Sequence, residues 1–143
     1  MSDPLNTLLR LRRLAVDEAR QALADCLRTE AERAAEMRAL DDAVDRETAA
    51  ACDLAADDHA VEAFAVWLKR TRAERAAAAE ALLRAEVRTQ EARAVLSVGE
   101  RARRAVVELQ ATREIERLAE DLKRDQSRID EAAARRPHGG GPS

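Results

Sequence analysis

Few side chains in this 143-residue chain are of a type that could do chemistry. Its histidines are His59 and His138, and its cysteines are Cys26 and Cys52. None belongs to a cluster with metal-ligand spacing. No glycine-rich loop precedes a helical pattern, so a phosphate cradle is missing. No serine lies in a nucleophile-elbow motif. Carboxylates are paired at Asp41-Asp42 and Asp57-Asp58. A catalytic carboxylate pair needs environments that drive the two pKa values apart. On solvated helix faces these pairs act as surface charge. The residues therefore predict no enzyme, cofactor or metal.

The thiols give the same reading. Cys26 and Cys52 are 26 residues apart. On one helix that separation is roughly 39 Å, too far for a disulfide within the chain. Cys26 falls on an apolar seam as a small buried residue, and Cys52 lies beside it. The opening MSDPLNTLL carries an early aspartate and no apolar h-region, so no secretory signal is expected. Reduced thiols in the cytoplasm follow from that. No stretch approaches the ~20 apolar residues of a membrane span.

With chemistry set aside, the elements can be read. Ala, Glu, Lys, Leu and Arg supply 90 of the 143 residues, 33 of them alanine. That exceeds the half that marks long helices and coiled coils. Between Leu5 and Arg136 there is no proline and one glycine, Gly99. Strand-forming aromatic and β-branched runs broken by turn residues are missing. Apolar residues larger than alanine number 33. They are enough for a narrow seam, not for the thick core of an ordinary domain of this length.

Asp3-Pro4 reads as a helix start, with a cap followed by proline at the first helical position. A heptad then runs through Leu9, Val16, Leu23, Glu30, Met37, Val44 and Ala51. Its companion series is Arg12, Ala19, Cys26, Arg33, Leu40, Glu47 and Leu54. The pattern breaks near Ala55, where Asp57-Asp58 is a candidate N-cap. A second heptad reads Val61, Leu68, Arg75, Leu82, Thr89, Leu96 and Arg103, with Phe64, Thr71, Ala78, Ala85, Ala92, Gly99 and Val106 beside it. After Leu96 a spacing of eleven, through Val107, Leu118 and Ile129, predicts a stutter in the seam. The closing PHGGGPS should stop the helix and remain disordered.

Two arrangements fit these series: an antiparallel hairpin and a parallel rod dimer. Residues 1–58 carry net charge −6 and residues 59–143 carry +3. A hairpin sets those opposite charges side by side. Folding about Asp57 pairs Met37 with Ala78, Leu23 with Ala92, Val16 with Gly99 and Leu9 with Val106. Large side chains then meet small ones, which allows a close helix approach. Arg12 faces Arg103, and both must snorkel outward. The reading is all-α: one antiparallel coiled-coil domain over 1–136, with arm one about 5–55, a bend about 56–60 and a longer arm two about 61–136. Residues 137–143 form the tail. Such a chain is expected to be a monomer in isolation, since each arm satisfies the other's seam.

The hairpin leaves a remainder. Leu5 would pair near Gln110, so everything from about Ala111 to Arg136 overhangs with Ile115, Leu118, Leu122 and Ile129 unpaired. Ten basic residues lie between Arg101 and Arg136, but eight acids stand among them and no aromatic is present to stack on a base. A salt-bridged solvent face is expected there, and nucleic acid is not an expected partner. From Asp41 to Glu62 there are eight acids against Arg46 alone, a net charge of −7. A solubilising loop and a docking point for a basic partner fit that stretch equally. Phe64 and Trp67 are the only aromatics. Phe64 fits the seam, whereas Trp67 falls half-exposed beside it and is a candidate for partner contact.

The opening LNTLLRLRRLAVDEARQALADCL, the segment FAVWLKRTRAERAAAAEALLRAEVRTQEARAVL and the ending RDQSRIDEAAARR resemble the FliJ family. Its members are small coiled-coil proteins of the flagellar type III export apparatus, similar to injectisome stalk proteins. The resemblance implies an antiparallel two-helix coiled coil that acts without catalysis. It implies a cytoplasmic location, peripheral at the inner face of the cytoplasmic membrane, with no direct insertion. It also implies that the end bearing both termini binds the export ATPase hexamer and promotes its assembly. Carried onto this chain, that surface would comprise Leu5 to Leu14, with Leu8 and Leu11, and Ile115, Leu118, Leu122 and Ile129 of the overhang. A second surface would meet the membrane-embedded export gate through Met37, Leu40, Val44, Phe64, Trp67 and Leu68. Export chaperones are a further implied partner. Two other readings compete: a generic homodimeric coiled-coil scaffold, and an export chaperone that holds a secreted client along the overhang.

Overall fold

The computed structural model describes residues 3–53 and 57–136. They form two long helices, α1 (Pro4–Ala51) and α2 (Asp58–Arg135), with no strand among the described residues. Their contacts fall into two units. One joins Met1–Arg13 to Arg101–Ser143, and the other is Leu14–Glu100.

Both helices start on an aspartate cap. The Leu5 N–H donates to Asp3 Oδ1 at 3.1 Å, and Pro4 occupies the first helical position, where no N–H is needed. The Ala60 N–H donates to Asp57 Oδ1 at 2.8 Å, so α2 begins at Asp58. The second arm therefore starts three residues before the Val61 that heptad spacing suggested. The first arm ends at Ala51 rather than near residue 55. There the Asp53 N–H reaches the Ala50 carbonyl in a tightened last turn. Residues 58–60, expected in the bend, belong to α2, and Leu54, Ala55, Ala56 and the tail from Pro137, with His138, lie outside the described residues.

Within residues 14–100 the helices run antiparallel. A Cβ placed on Gly99 would lie 3.5 Å from Val16 Cγ2. Arg20 meets Glu100 at 3.6 Å, and Arg75 donates from Nε to Asp41 Oδ1. The most buried residues on the α2 side of this seam are small: Thr71, Ala85 and Thr89 are buried and Ala92 is half-buried, while the larger Leu68, Leu82 and Leu96 are half-buried. Val16 and Ala19 are buried opposite, with Leu23, Cys26, Met37, Leu40 and Val44 half-buried. Thr89 is only 1% exposed, and its hydroxyl donates to the Ala85 carbonyl at 3.0 Å. That bond removes the cost of an unpaired hydroxyl in the seam.

In the other unit Leu5, Leu9 and Val106 are buried. Gln110 Nε2 donates to Asn6 Oδ1 at 2.8 Å, which fixes the antiparallel register there. Arg12 is exposed and Arg103 half-buried, as two guanidiniums on one seam require. The expected stutter does not form. In this unit the covered α2 positions include Arg103, Val106 and Gln110, at heptad spacing, while Val107 is exposed. The eleven-residue series follows the large apolar side chains, but the seam continues through small and amphipathic ones.

Gly99 offers a direct test of the close approach. Its φ is not positive, so it occupies an ordinary helical conformation. A methyl group would meet Val16 at normal contact distance. Gly99→Ala should raise stability by about 0.5–1 kcal/mol, the helix-interior cost of glycine. Gly99→Leu should lower it by about 1–3 kcal/mol through overpacking. Thermal and urea denaturation of the two variants would measure both, and opposite signs are the expected result.

Candidate partner-binding surfaces

Beyond Gln110, α2 continues to Arg135 with almost every residue exposed. Ile115 is 68% exposed, Leu118 49%, Leu122 70% and Ile129 61%. Their spacings of three, four and seven place them on one face of the helix. Helical spacing turns that face away from Arg103, Val106 and Gln110, covered positions of α2 in the same unit. Leu8, on α1, is half-buried, and Leu11 is exposed.

The helix holding this face is braced by its own charges. Arg117 donates to Glu114 at 2.6 Å and to Asp121 at 3.0 Å. The hydrogen bond and charge of Arg117 hold the Glu114 carboxyl below its usual range. Glu114, followed by Asp121, in turn raises the Arg117 guanidinium. Gln126 donates to Asp130 one turn further on. These i,i+3 and i,i+4 pairs support helix where no packing does.

The second candidate group lies within residues 14–100. Met37, Leu40 and Val44 of α1 and Phe64, Trp67 and Leu68 of α2 are all half-buried. All six line the seam or its edge, and none is fully presented to solvent. Phe64 and Trp67 stack, with ring centroids 6.0 Å apart. They form one wall of an open notch of about 400 Å³ between the last turns of α1 and the first of α2. Its other lining residues are Glu47, Ala50, Ala51, Ala60 and Ala63.

Heptad counting missed one surface. Leu83, Val87, Val95 and Val98 are exposed on α2, away from the seam. The available signal was the eleven-residue step from Val87 to Val98, repeated at Leu109. Among the described residues no three His, Cys, Asp or Glu side chains converge as a metal site, and no helix is long and apolar enough to cross a membrane. Cys26 is half-buried and Cys52 exposed, and both are free thiols.

A pH prediction follows from Glu114. Its carboxyl is depressed in the folded helix, so its contribution is full above the ordinary value of 4.5 and is lost as pH falls through the depressed value. Wild-type protein should lose more helical circular dichroism below pH 4.5 than Glu114→Gln, which has no charge to lose. Superimposable acid titrations would remove the Glu114–Arg117 pair as a support of this segment.

No protein-family model matches the chain, and no curated protein or solved structure shows a significant likeness to it.

Proposed function

We propose that this chain is a non-catalytic component of a flagellar type III protein export apparatus. In this reading it is a stalk that binds the export ATPase ring, promotes its assembly and links it to the export gate. The observation that carries the reading is the uncovered apolar face Ile115, Leu118, Leu122 and Ile129 on a helix braced by its own ion pairs. An apolar stripe without a partner in its own chain marks an interaction surface. The resemblance to the FliJ family names the partner. Leu8 and Leu11 add to that surface from α1, and the region of Phe64 and Trp67 serves the gate. Export chaperones are a further partner of the same reading, which places the protein in the cytoplasm at the inner face of the membrane.

One observation favours a second reading. The exposed row Leu83, Val87, Val95 and Val98 could seat another copy, as in a homodimeric scaffold. Light scattering decides between them. The stalk reading expects the 15.8 kDa chain mass at micromolar concentration, and the scaffold expects twice that.

The central test is the double substitution Leu118→Asp and Leu122→Asp. Both positions are exposed, so the paired helices should stay folded. Each buried leucine contributes about 1.5–3 kcal/mol, so affinity for the ATPase should fall by about a hundredfold or more. Stimulation of the ATPase and swarming should fall together. A folded double variant that keeps both would remove this face from the mechanism.

A further inference from the structure

We infer that the notch between the end of α1 and the start of α2 is a docking site for a basic amphipathic helix that inserts an apolar side chain among lysines or arginines. The inference names the partner chemistry at the Phe64–Trp67 surface of the proposed function. It can be tested without any component of an export apparatus.

Three observations carry it. First, the notch offers apolar side chains to an inserted anchor. Ala50, Ala51, Ala60 and Ala63 line it, and the stacked rings of Phe64 and Trp67 close one side. At about 400 Å³ it is as large as a small ligand cleft. The alanines leave space that larger residues would have filled. Second, the surroundings are predominantly acidic, with Arg46 the one base between Asp41 and Glu62. Glu47 lines the notch, and the stretch from Asp41 to Glu62 has a net charge of −7. Third, the helix ends are not balanced. Asp57 caps the positive end of α2, and Asp58 stands in its first turn. The negative end of α1 has no basic residue in its last turn. A helix C-terminus favours a nearby cation, and the last turn of α1 carries none of its own. A neutral apolar ligand would leave that field uncompensated, and an acidic helix would be repelled. Lysines or arginines flanking an apolar anchor answer all three features. The same field would speed their encounter at low salt.

Trp67 is the only tryptophan, so its emission reports on this notch alone. The probe is a short leucine–lysine peptide with helical spacing, titrated into the full-length protein. The expected result is saturable binding with a blue shift of Trp67 emission and affinity that falls as salt rises. A lysine–serine peptide of equal charge should bind at least about tenfold more weakly, because it lacks the anchor. The double substitution Glu47→Lys and Glu62→Lys should weaken the leucine–lysine peptide by about tenfold or more. Ala63→Lys, at an exposed position that any helix tolerates, should do the same. The Leu118→Asp, Leu122→Asp variant should bind the peptide as the wild type does. Equal binding of the two peptides would reduce the site to surface charge and overturn the inference. Unchanged affinity in Glu47→Lys, Glu62→Lys or in Ala63→Lys would also overturn it. Loss of binding in the Leu118→Asp, Leu122→Asp variant would move the peptide to the projecting face and overturn it as well. Failure of the notch would leave the ATPase assay of the projecting face untouched, so the two readings fail separately.

Discussion

The close approach of α1 and α2 is the constraint on which the rest depends. A chain with 33 apolar residues larger than alanine cannot assemble a thick core. It gains dispersion contacts only where backbones come near each other, because those contacts vanish over a small gap. Thr71, Ala85, Thr89 and Gly99 on α2 permit that approach within residues 14–100. The two threonines bring hydroxyls into the seam, and the helix carbonyl of Ala85 satisfies that of Thr89. Because the seam is narrow, most of each helix faces water. Large apolar side chains away from the seam are then conspicuous, and they mark the candidate surfaces.

The ion pairs do a different job from the seam. Arg75–Asp41 and Arg20–Glu100 are exposed or partly exposed pairs across the helices. Exposed pairs add little stability. They are specific to one register, however, and the small seam residues alone are not. Alanine opposite a leucine packs acceptably at several offsets, whereas Arg75 finds Asp41 at one. Arg75 shows how the two demands are met together. It occupies a heptad position, yet it leaves the seam and spends its charge on α1, where Asp41 raises its pKa.

Much of this was legible in the residues. The Asp3-Pro4 cap, the Asp57 cap and the two heptads follow from periodicity and local hydrogen-bonding chemistry. The Val16–Gly99 pairing follows from matching large residues to small ones. The end of pairing near Gln110 follows from counting back from Asp57. The stutter after Leu96 was misread for a physical reason. Hydrophobic periodicity weighs Val107 and Leu118 above Gly99 and Arg103, although a glycine and the stem of an arginine can occupy a seam. The notch was not legible as a cavity. Its alanines read as helix formers, and only the placement of Ala50, Ala51, Ala60 and Ala63 around one space reveals what their size leaves open. The row from Leu83 to Val98 was missed because heptad counting assigns every residue outside the seam to solvent.

The segment beyond Gln110 shows how an apolar face can be held ready where no second helix packs. An isolated helix in water is marginal, and ordering it on binding would cost affinity. Here residues 111–135 are helical without a partner chain. Glu114, Arg117 and Asp121 brace two successive turns, Gln126 and Asp130 brace another, and alanines favour helix around them. None of these groups lies on the row Ile115, Leu118, Leu122 and Ile129, so the support does not obstruct the face it presents. Charge therefore maintains the helix while apolar residues wait on one side of it. A partner that covers that side gains the burial of four large side chains and bears little of the ordering cost.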